Sequence, residues 1–374
     1  MADNIPFEIQ IEIVKRLPVK SVAIFRSISK ACKSMIDSPL FIANYTNFHQ
    51  HHRLLIRYEF VNTFPEKEIK YVSIVDNDTF SQHEFDKVCN VPVSFKLLNK
   101  LYLVSTSQGL LCFSGISQED GCDEETAVIW NPKLGKSIAV DVPCIFAALG
   151  FGVRPDNFDP MIVMVGNVAH PKPVMLFTLS SRVWRVPCGN LPPKYIYFPK
   201  VSPVATDNRC IYWKAFKWHI NLVVSFDMVS ENFMEINLPH SVAHGTYHDF
   251  SVSKIKESLA LLEYSDDAEK RVCGVWMMVE DCVSKSFTKL FTVNTPSFET
   301  KVLGFSKNDQ PIMEKVIAKS GVASSLVVYQ PCTRAIENVW IIGRRGSFFV
   351  SSYTATLLLL DELDEQSIKI QLQF

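Results

Sequence analysis

Several things are scarce in this chain of 374 residues, and each shortage excludes something. Excess charge is the first: 38 basic against 39 acidic side chains leave a net charge of −1. That balance offers no field to gather nucleic acid or an acidic membrane. Basic pairs such as Lys15-Arg16 and Arg344-Arg345 are too short to track a phosphate backbone. The ten cysteines include no Cys-x-x-Cys pair, which removes the usual zinc-site and thioredoxin-type spacings. Long apolar runs are missing too, so no membrane-spanning helix is expected. The opening MADNIPFEIQIEI lacks a basic stretch followed by an apolar one, so no secretory leader is expected. Reduced thiols and a cytoplasmic or nuclear location, or both, follow as expectations. Gly-x-Ser-x-Gly and His-Glu-x-x-His do not occur, and Gly150-Phe151-Gly152 lacks the later glycine and helix of a phosphate loop. No catalytic residue, cofactor or metal ligand is therefore assigned.

What the chain has in quantity is apolar residues, 47% of the total, enough for a sizeable core. They come in two textures. In the first 45 residues Ile5, Ile9, Ile13 and Leu17 recur every four positions, one stripe of a helix. Pro6 fits the first turn of that helix and Pro18 its end. A second helix is expected from Lys20 to about Ser29, with Val22, Phe25 and Ile28 on one face, and a third from Lys30 to Asp37. Ser38-Pro39 reads as an N-cap and first-turn proline opening a further short helix through Phe41 and Tyr45. A module this small completes its core on a partner or on its own neighbour. His49, His51 and His52 then read as a solvated linker.

From Leu54 the helical period disappears and short β-branched and aromatic runs alternate with turn residues. One pattern recurs: an apolar strand ending in an aromatic, a polar turn, then a second apolar strand. Its anchors are Trp130, Phe177, Phe226, Trp276 and Tyr329, separated by 47, 49, 50 and 53 residues. In three copies an apolar residue follows the anchor by seven positions: Trp184, Phe233 and Ile336. A further hairpin lies between successive anchors, so each unit holds about four strands, the arithmetic of a propeller blade. Early strands LLIRYEF and KYVSIV, with the late SFFVSSYTATLLLLDE and SIKIQLQF, would supply one more blade and close the ring. The expected fold is mainly β: a small N-terminal three-helix module (1–45), a linker (46–53), and a β-propeller-like domain of about six blades (54–374).

The helical segment resembles the F-box in the form common among plant proteins. The likeness rests on Ile5-Pro6, Glu8-Ile9, Glu12-Ile13, Arg16-Leu17-Pro18-Val19-Lys20-Ser21, Phe25-Arg26, Ser29-Lys30 and Ser38-Pro39-Leu40-Phe41. One departure is Cys32, where the F-box usually carries Trp. The remainder resembles the F-box-associated domain, through Gly109-Leu110-Leu111-Cys112, Trp130-Asn131-Pro132, Trp184-Arg185, Tyr212-Trp213 and Ser225-Phe226-Asp227. The resemblance implies a non-catalytic substrate-recognition subunit of a Skp-cullin-F-box (SCF) ubiquitin ligase. Its partners would be a Skp-type adaptor, a cullin held through that adaptor, and a protein target; neither nucleic acid nor membrane is expected.

The residues expected to face the adaptor are Ile5, Pro6, Glu8, Ile9, Ile13, Leu17, Pro18, Val22 and Phe25, although such a stripe serves equally as the module's own core. The blade anchors are repeat-periodic and hence structural. Trp213 fits a strand, whereas Trp218 with His219 fits a rim loop, where propellers bind partners. Segments 115–125, 155–160, 187–201 and 239–249 read as the long rim loops. His240, His244 and His248 would align for a metal on a helix, but Gly245 and the turn-rich context argue against one. Two other roles stand as alternatives: a propeller enzyme, marked by convergent polar groups at the channel mouth, and an adaptor-binding scaffold without a cullin.

Overall fold

The computed structural model describes residues 5–49, 53–61, 68–76, 86–87, 91–119, 122–145, 147–166, 173–200, 204–206, 209–245, 250–267, 270–280, 285–294, 300–317, 321–359, 366–368 and 372–373. Four helices, not three, form the N-terminal module: α1 (Phe7–Lys15), α2 (Val19–Arg26), α3 (Lys30–Ile36) and α4 (Pro39–Phe48). The segment expected to be short, α4, is the longest of them. Ser38 accepts from the Phe41 N–H and Pro39 fills the first turn, so this helix starts on two independent signals. It runs through residues 46–48, and the first strand already begins at Arg53.

Six sheets follow, each one blade. Blade 2 shows the plan, with antiparallel strands Asn99–Ser107, Leu110–Glu119, Cys122–Asn131 and Lys136–Asp141 from the inside outward. Blade 3 repeats it (Ala148–Val153, Pro160–Val165, Val174–Thr178, Trp184–Arg185). Blade 4 has its inner strand in two pieces, Ile196–Tyr197 and Val204–Thr206, before Cys210–Lys217, Ile220–Asp227 and Phe233–Ile236. Blades 5 (Phe250–Ile255 to Lys285–Asn294) and 6 (Lys301–Phe305 to Ile336–Arg344) complete the series. Blade 1 is composite: the late strand Phe349–Tyr353 pairs with Arg53–Glu59, which pairs with Ile69–Val75. The ring therefore closes by joining early strands to a late one, as expected. The last strands do not enter blade 1. Gln366–Ile368 runs parallel along the outer edge of blade 2, and Leu372–Gln373 along that of blade 3.

The core is six clusters, one between each pair of adjacent blades. Period-2 alternation divides each strand between two of them. Ile162 and Met164 face blade 2, while Met161, Val163 and Val165 face blade 4. Inner strands are thus buried on both faces, and Pro160–Val165 is buried throughout. The outermost strand of blade 6 instead alternates between core and solvent.

The seven-residue spacing has a concrete cause. Phe177 and Trp184 are cross-strand partners, as are Phe226 and Phe233, and Tyr329 and Ile336. Each pair flanks a turn in which the residue five after the anchor takes positive φ: Arg182, Glu231 and Arg334, with Gly135 after Trp130. That residue's N–H bonds back to the carbonyl one after the anchor, at 2.7–2.9 Å. Trp276 departs from the pattern: its strand continues to Glu280, and its ring is half-buried with Nε1 donating to Glu263.

Glu231 carries a second duty at this turn. Its carboxylate accepts from Arg185 Nη1 and Nη2 and from the Cys188 N–H, with Arg154 Nη1 3.8 Å away, so it pins blade 3 to blade 4. Burial alone would raise its pKa; the Arg185 contact and the Cys188 N–H outweigh that and hold it below the ordinary carboxylate value. A depressed folded pKa stabilises above the unfolded value and ceases to as pH falls through the folded one. Glu231→Gln is expected to lower stability by roughly 2–3 kcal/mol at neutral pH. The loss should shrink towards low pH, as urea unfolding across a pH series would measure.

Candidate functional site

The helical module sorts its apolar residues into two sets. Val14, Val19, Val22, Met35, Ile36, Phe41 and Tyr45 form its core. Arg26 clamps Asp37 through two bonds (2.5 and 2.7 Å), holding the end of α2 against the end of α3. Tyr45 donates to the Leu17 carbonyl at 3.0 Å, and burial pushes its phenol up to about 12. His49, expected in a solvated linker, stacks on Tyr45 and bonds the Lys15 carbonyl at 2.8 Å; His51 and His52 lie outside the described residues.

The second set faces solvent. Ile5, Ile9 and Ile13 are each about half exposed, and Phe7, Ile24, Phe25, Ile28 and Leu40 are exposed beside them in sequence. The four-residue stripe is thus divided: its first three members are left uncovered, while Leu17 packs partly against the core. Glu8 is exposed in the first turn of α1, where a carboxylate suits the helix dipole. Pro6 and Pro18 are exposed and occupy N-cap positions, of α1 and α2 respectively; α1 itself ends at Lys15. Val22 is wholly buried, so its role is in the scaffold rather than on the surface. Cys32 is half-buried and outside the core cluster, so the missing ring would have lain at the surface and leaves the core intact. Periodicity marks a stripe but not what covers it, so the exposure of Phe7, Ile24, Ile28 and Leu40 could not be read from it.

The module completes its core on the propeller. Leu357 belongs to the same cluster as Val22 and Tyr45, with Leu134 from the blade 2 turn packed against it. Leu357 sits on a strap, residues 354–359, that leaves the ring-closing strand. Asn131 Nδ2 donates to the carbonyls of Thr356 and Leu358, and Leu358 and Leu359 enter the cluster between blades 2 and 3. Gly109 (φ 78) is what lets the strap approach: a Cβ there would stand 2.3 Å from the Thr354 carbonyl oxygen. The Leu357–Leu360 run reads in the sequence as more strand for the closing blade; the strand ends at Tyr353, and residues 354–359 form the strap instead.

The propeller itself presents little chemistry. A channel of about 120 Å³ is lined by inner-strand residues such as Ser105, Thr106, Ser253 and Ser351; among the described residues its one charged side chain, Lys254, pairs with Glu257 at 3.0 Å. Buried Glu125 accepts from Tyr102 and Ser114 and pairs with Lys200, which satisfies it inside the fold. Among the described residues no group of three or more His, Cys, Asp or Glu is placed to hold a metal, and no helix is long and apolar enough to cross a membrane. His240–Ala243 does form one helical turn, contrary to expectation, and brings His240 and His244 within 4.5 Å; His248 lies outside the described residues. Gly150 lies in a strand against Trp213, not in a loop. Segment 115–125 is mostly hairpin strand rather than rim loop. Trp213 is buried in its strand, and Trp218 stands exposed at a rim turn.

Comparison with known proteins gives the same two parts. Residues 3–44 match the F-box domain and residues 65–348 the F-box associated beta propeller domain. Among curated relatives, F-box protein CPR1 of Arabidopsis thaliana is 22% identical, over 78% of this chain and 74% of its own length. An F-box/kelch-repeat protein of the same plant is 23% identical, over 78% and 79%. Among solved structures, the β-propeller domain of the Trilobed protease from Pyrococcus furiosus is similar at 14% identity and a TM-score of 0.38, over 64% of this chain and 71% of that one.

Leu357→Asp should separate the two modules' stabilities. The ring-closing pairing is untouched, so the propeller keeps its unfolding transition, while the helices lose a buried contact worth about 2–5 kcal/mol. Hydrogen exchange should rise throughout α1–α4 and stay unchanged in blades 4 to 6.

Proposed function

We propose, because this chain belongs to the F-box-associated β-propeller family and carries an F-box domain ahead of the propeller, that it is the substrate-recognition subunit of an SCF-type ubiquitin ligase. The F-box docks a Skp-type adaptor and, through it, a cullin; the propeller holds a protein target, in the cytoplasm, the nucleus or both. The observation that carries this reading is the uncovered apolar surface of the helices. Ile5, Ile9 and Ile13 stay exposed although a complete core lies one turn away. A stripe left over after the core is filled suits helix-in-groove recognition, in which a few apolar anchors supply most of the affinity.

The subunit contributes geometry, not a reacting group. Binding a target at a fixed place relative to the adaptor raises the local concentration of its lysines near the charged ubiquitin carrier. The strap that ties the helices to blade 2 supports this role, since a loose joint would dilute that effect.

Co-purification with a Skp-type adaptor and a cullin is the test. Ile9→Asp combined with Ile13→Asp should cut adaptor capture more than tenfold, because two anchors are lost, with the melting temperature unchanged since both side chains are exposed. Val22→Asp should instead unfold the helices. Full adaptor capture by the double variant would refute the assignment of this face, and capture of adaptor without cullin would refute the ligase role.

A further inference from the structure

Blade 4 carries an aromatic cluster that the fold does not need. Tyr195 and Trp218 lie 62% and 74% exposed, with ring centroids 6.1 Å apart. One step along the same pair of strands Tyr197 meets Phe216 at 4.8 Å, and Ile220 and Leu191 are exposed nearby in sequence. The ladder follows from register: Ile196 pairs with Lys217 and Tyr197 with Phe216, so Tyr195 falls opposite Trp218.

Both leading aromatics sit in backbone that disfavours them. Lys217 pairs with Ile220, leaving Trp218-His219 as a two-residue hairpin turn. The first position of such a turn takes positive φ and is normally Gly, Asn or Asp; Trp218 holds it at φ 58. Tyr195 is at φ 63. Bulky side chains in this region carry local strain, and neither ring is buried enough to offset it. Two strained, adjacent, solvent-facing aromatics on a rigid sheet have the composition of an interface anchor.

Topology says which side they occupy. In each antiparallel blade the turn joining the second and third strands lies at the opposite end from the turns joining first to second and third to fourth. Trp218 is in a second-to-third turn. The helical module contacts Leu134, in a third-to-fourth turn, and the strap beside Gly109, in a first-to-second turn. The cluster therefore faces away from the F-box, on the side left open when the adaptor is bound.

Charge narrows the occupant. Segments 186–200 and 210–226 contain Lys194, Lys200, Lys214 and Lys217 and not one Asp or Glu, in a chain that is otherwise balanced. Lys214 is buried on the Phe250 carbonyl and Lys200 pairs with Glu125. Exposed Lys194 and half-buried Lys217 flank the rings, with Glu235 4.0 Å from Lys217 Nζ. We propose that this cluster is the target-docking surface, and that it takes an acidic protein segment with a large apolar anchor seated between Tyr195 and Trp218. Aromatics beside lysines also suit single-stranded nucleic acid, but two lysines make too short a row to track a phosphate backbone. The proposal rests on the receptor reading for its biological sense, though not for its test.

The experiment uses the full chain, immobilised by a tag. Short random peptides displayed on phage are panned on the wild-type protein, with Trp218→Ala as counter-selection. Enriched peptides should carry Asp and Glu around a Leu, Phe or Trp. They should bind wild type about thirtyfold more tightly than Trp218→Ala or Tyr195→Ala, and weaken with salt and with Lys194→Glu. Absence of Trp218-dependent enrichment, enrichment without acidic residues, or Trp218-dependent binding of oligouridylate in place of peptides would each overturn it. Adaptor capture is scored on the same preparations: if it persists while peptides fail, this surface is wrong and the receptor reading stands; if it is lost while peptides bind, the reverse holds.

Discussion

The structure depends on burial at six shared seams. No blade has a core of its own; strands such as Pro160–Val165 give alternate side chains to the blade before and the blade after. A single open array would leave two apolar faces wet, and pairing of Phe349–Tyr353 with Arg53–Glu59 removes both at once. Every other feature is arranged around that joint. The helices enter beside Arg53, the strap leaves beside Tyr353, and these two residues are register partners. The F-box is therefore set down where the ring is sealed, and its core is finished by the next few residues after the seal.

This arrangement settles how the two modules divide their apolar residues. Leu357 and Leu134 fill the inner side of the helices. Among the described residues nothing then covers the outer stripe of Ile5, Ile9 and Ile13. Exposed apolar residues are ordinary when scattered; a spaced row, with Ile5 just ahead of α1 and Ile9 and Ile13 on it, beside a satisfied core, is a different observation, and it is what gives the proposed adaptor reading its physical content.

The ring was largely legible in the sequence because its repeat is a cross-strand pair about a fixed turn. Phe177–Trp184, Phe226–Phe233 and Tyr329–Ile336 are separated by seven residues for the same reason that they touch. Helix starts at Ser38-Pro39 were legible from capping chemistry. Other features were not. Val22 and Ile9 look alike to periodicity, and only the positions of α3 and α4 distinguish them. Glu231 is an unremarkable surface carboxylate in sequence, yet it is buried because two arginines far away in the chain converge on it. The strap was a run of leucines without a period, and its place depended on a gap that exists only after folding. Trp218 was readable as a rim residue, whereas its partner Tyr195 required the register.

The position of Leu357 also orders events during synthesis. Chains grow from the N-terminus, and early domains generally fold first. Here the first forty-odd residues emerge long before the leucine that completes their core, with nearly the whole propeller to be made in between. A chain halted before residue 349 has neither a sealed ring nor a seated F-box. Its helices would be loosely held until the ring-closing strand and Leu357 have been made. Placing the last piece of the first module just after the ring-closing strand of the second ties seating of the helices to closure of the ring.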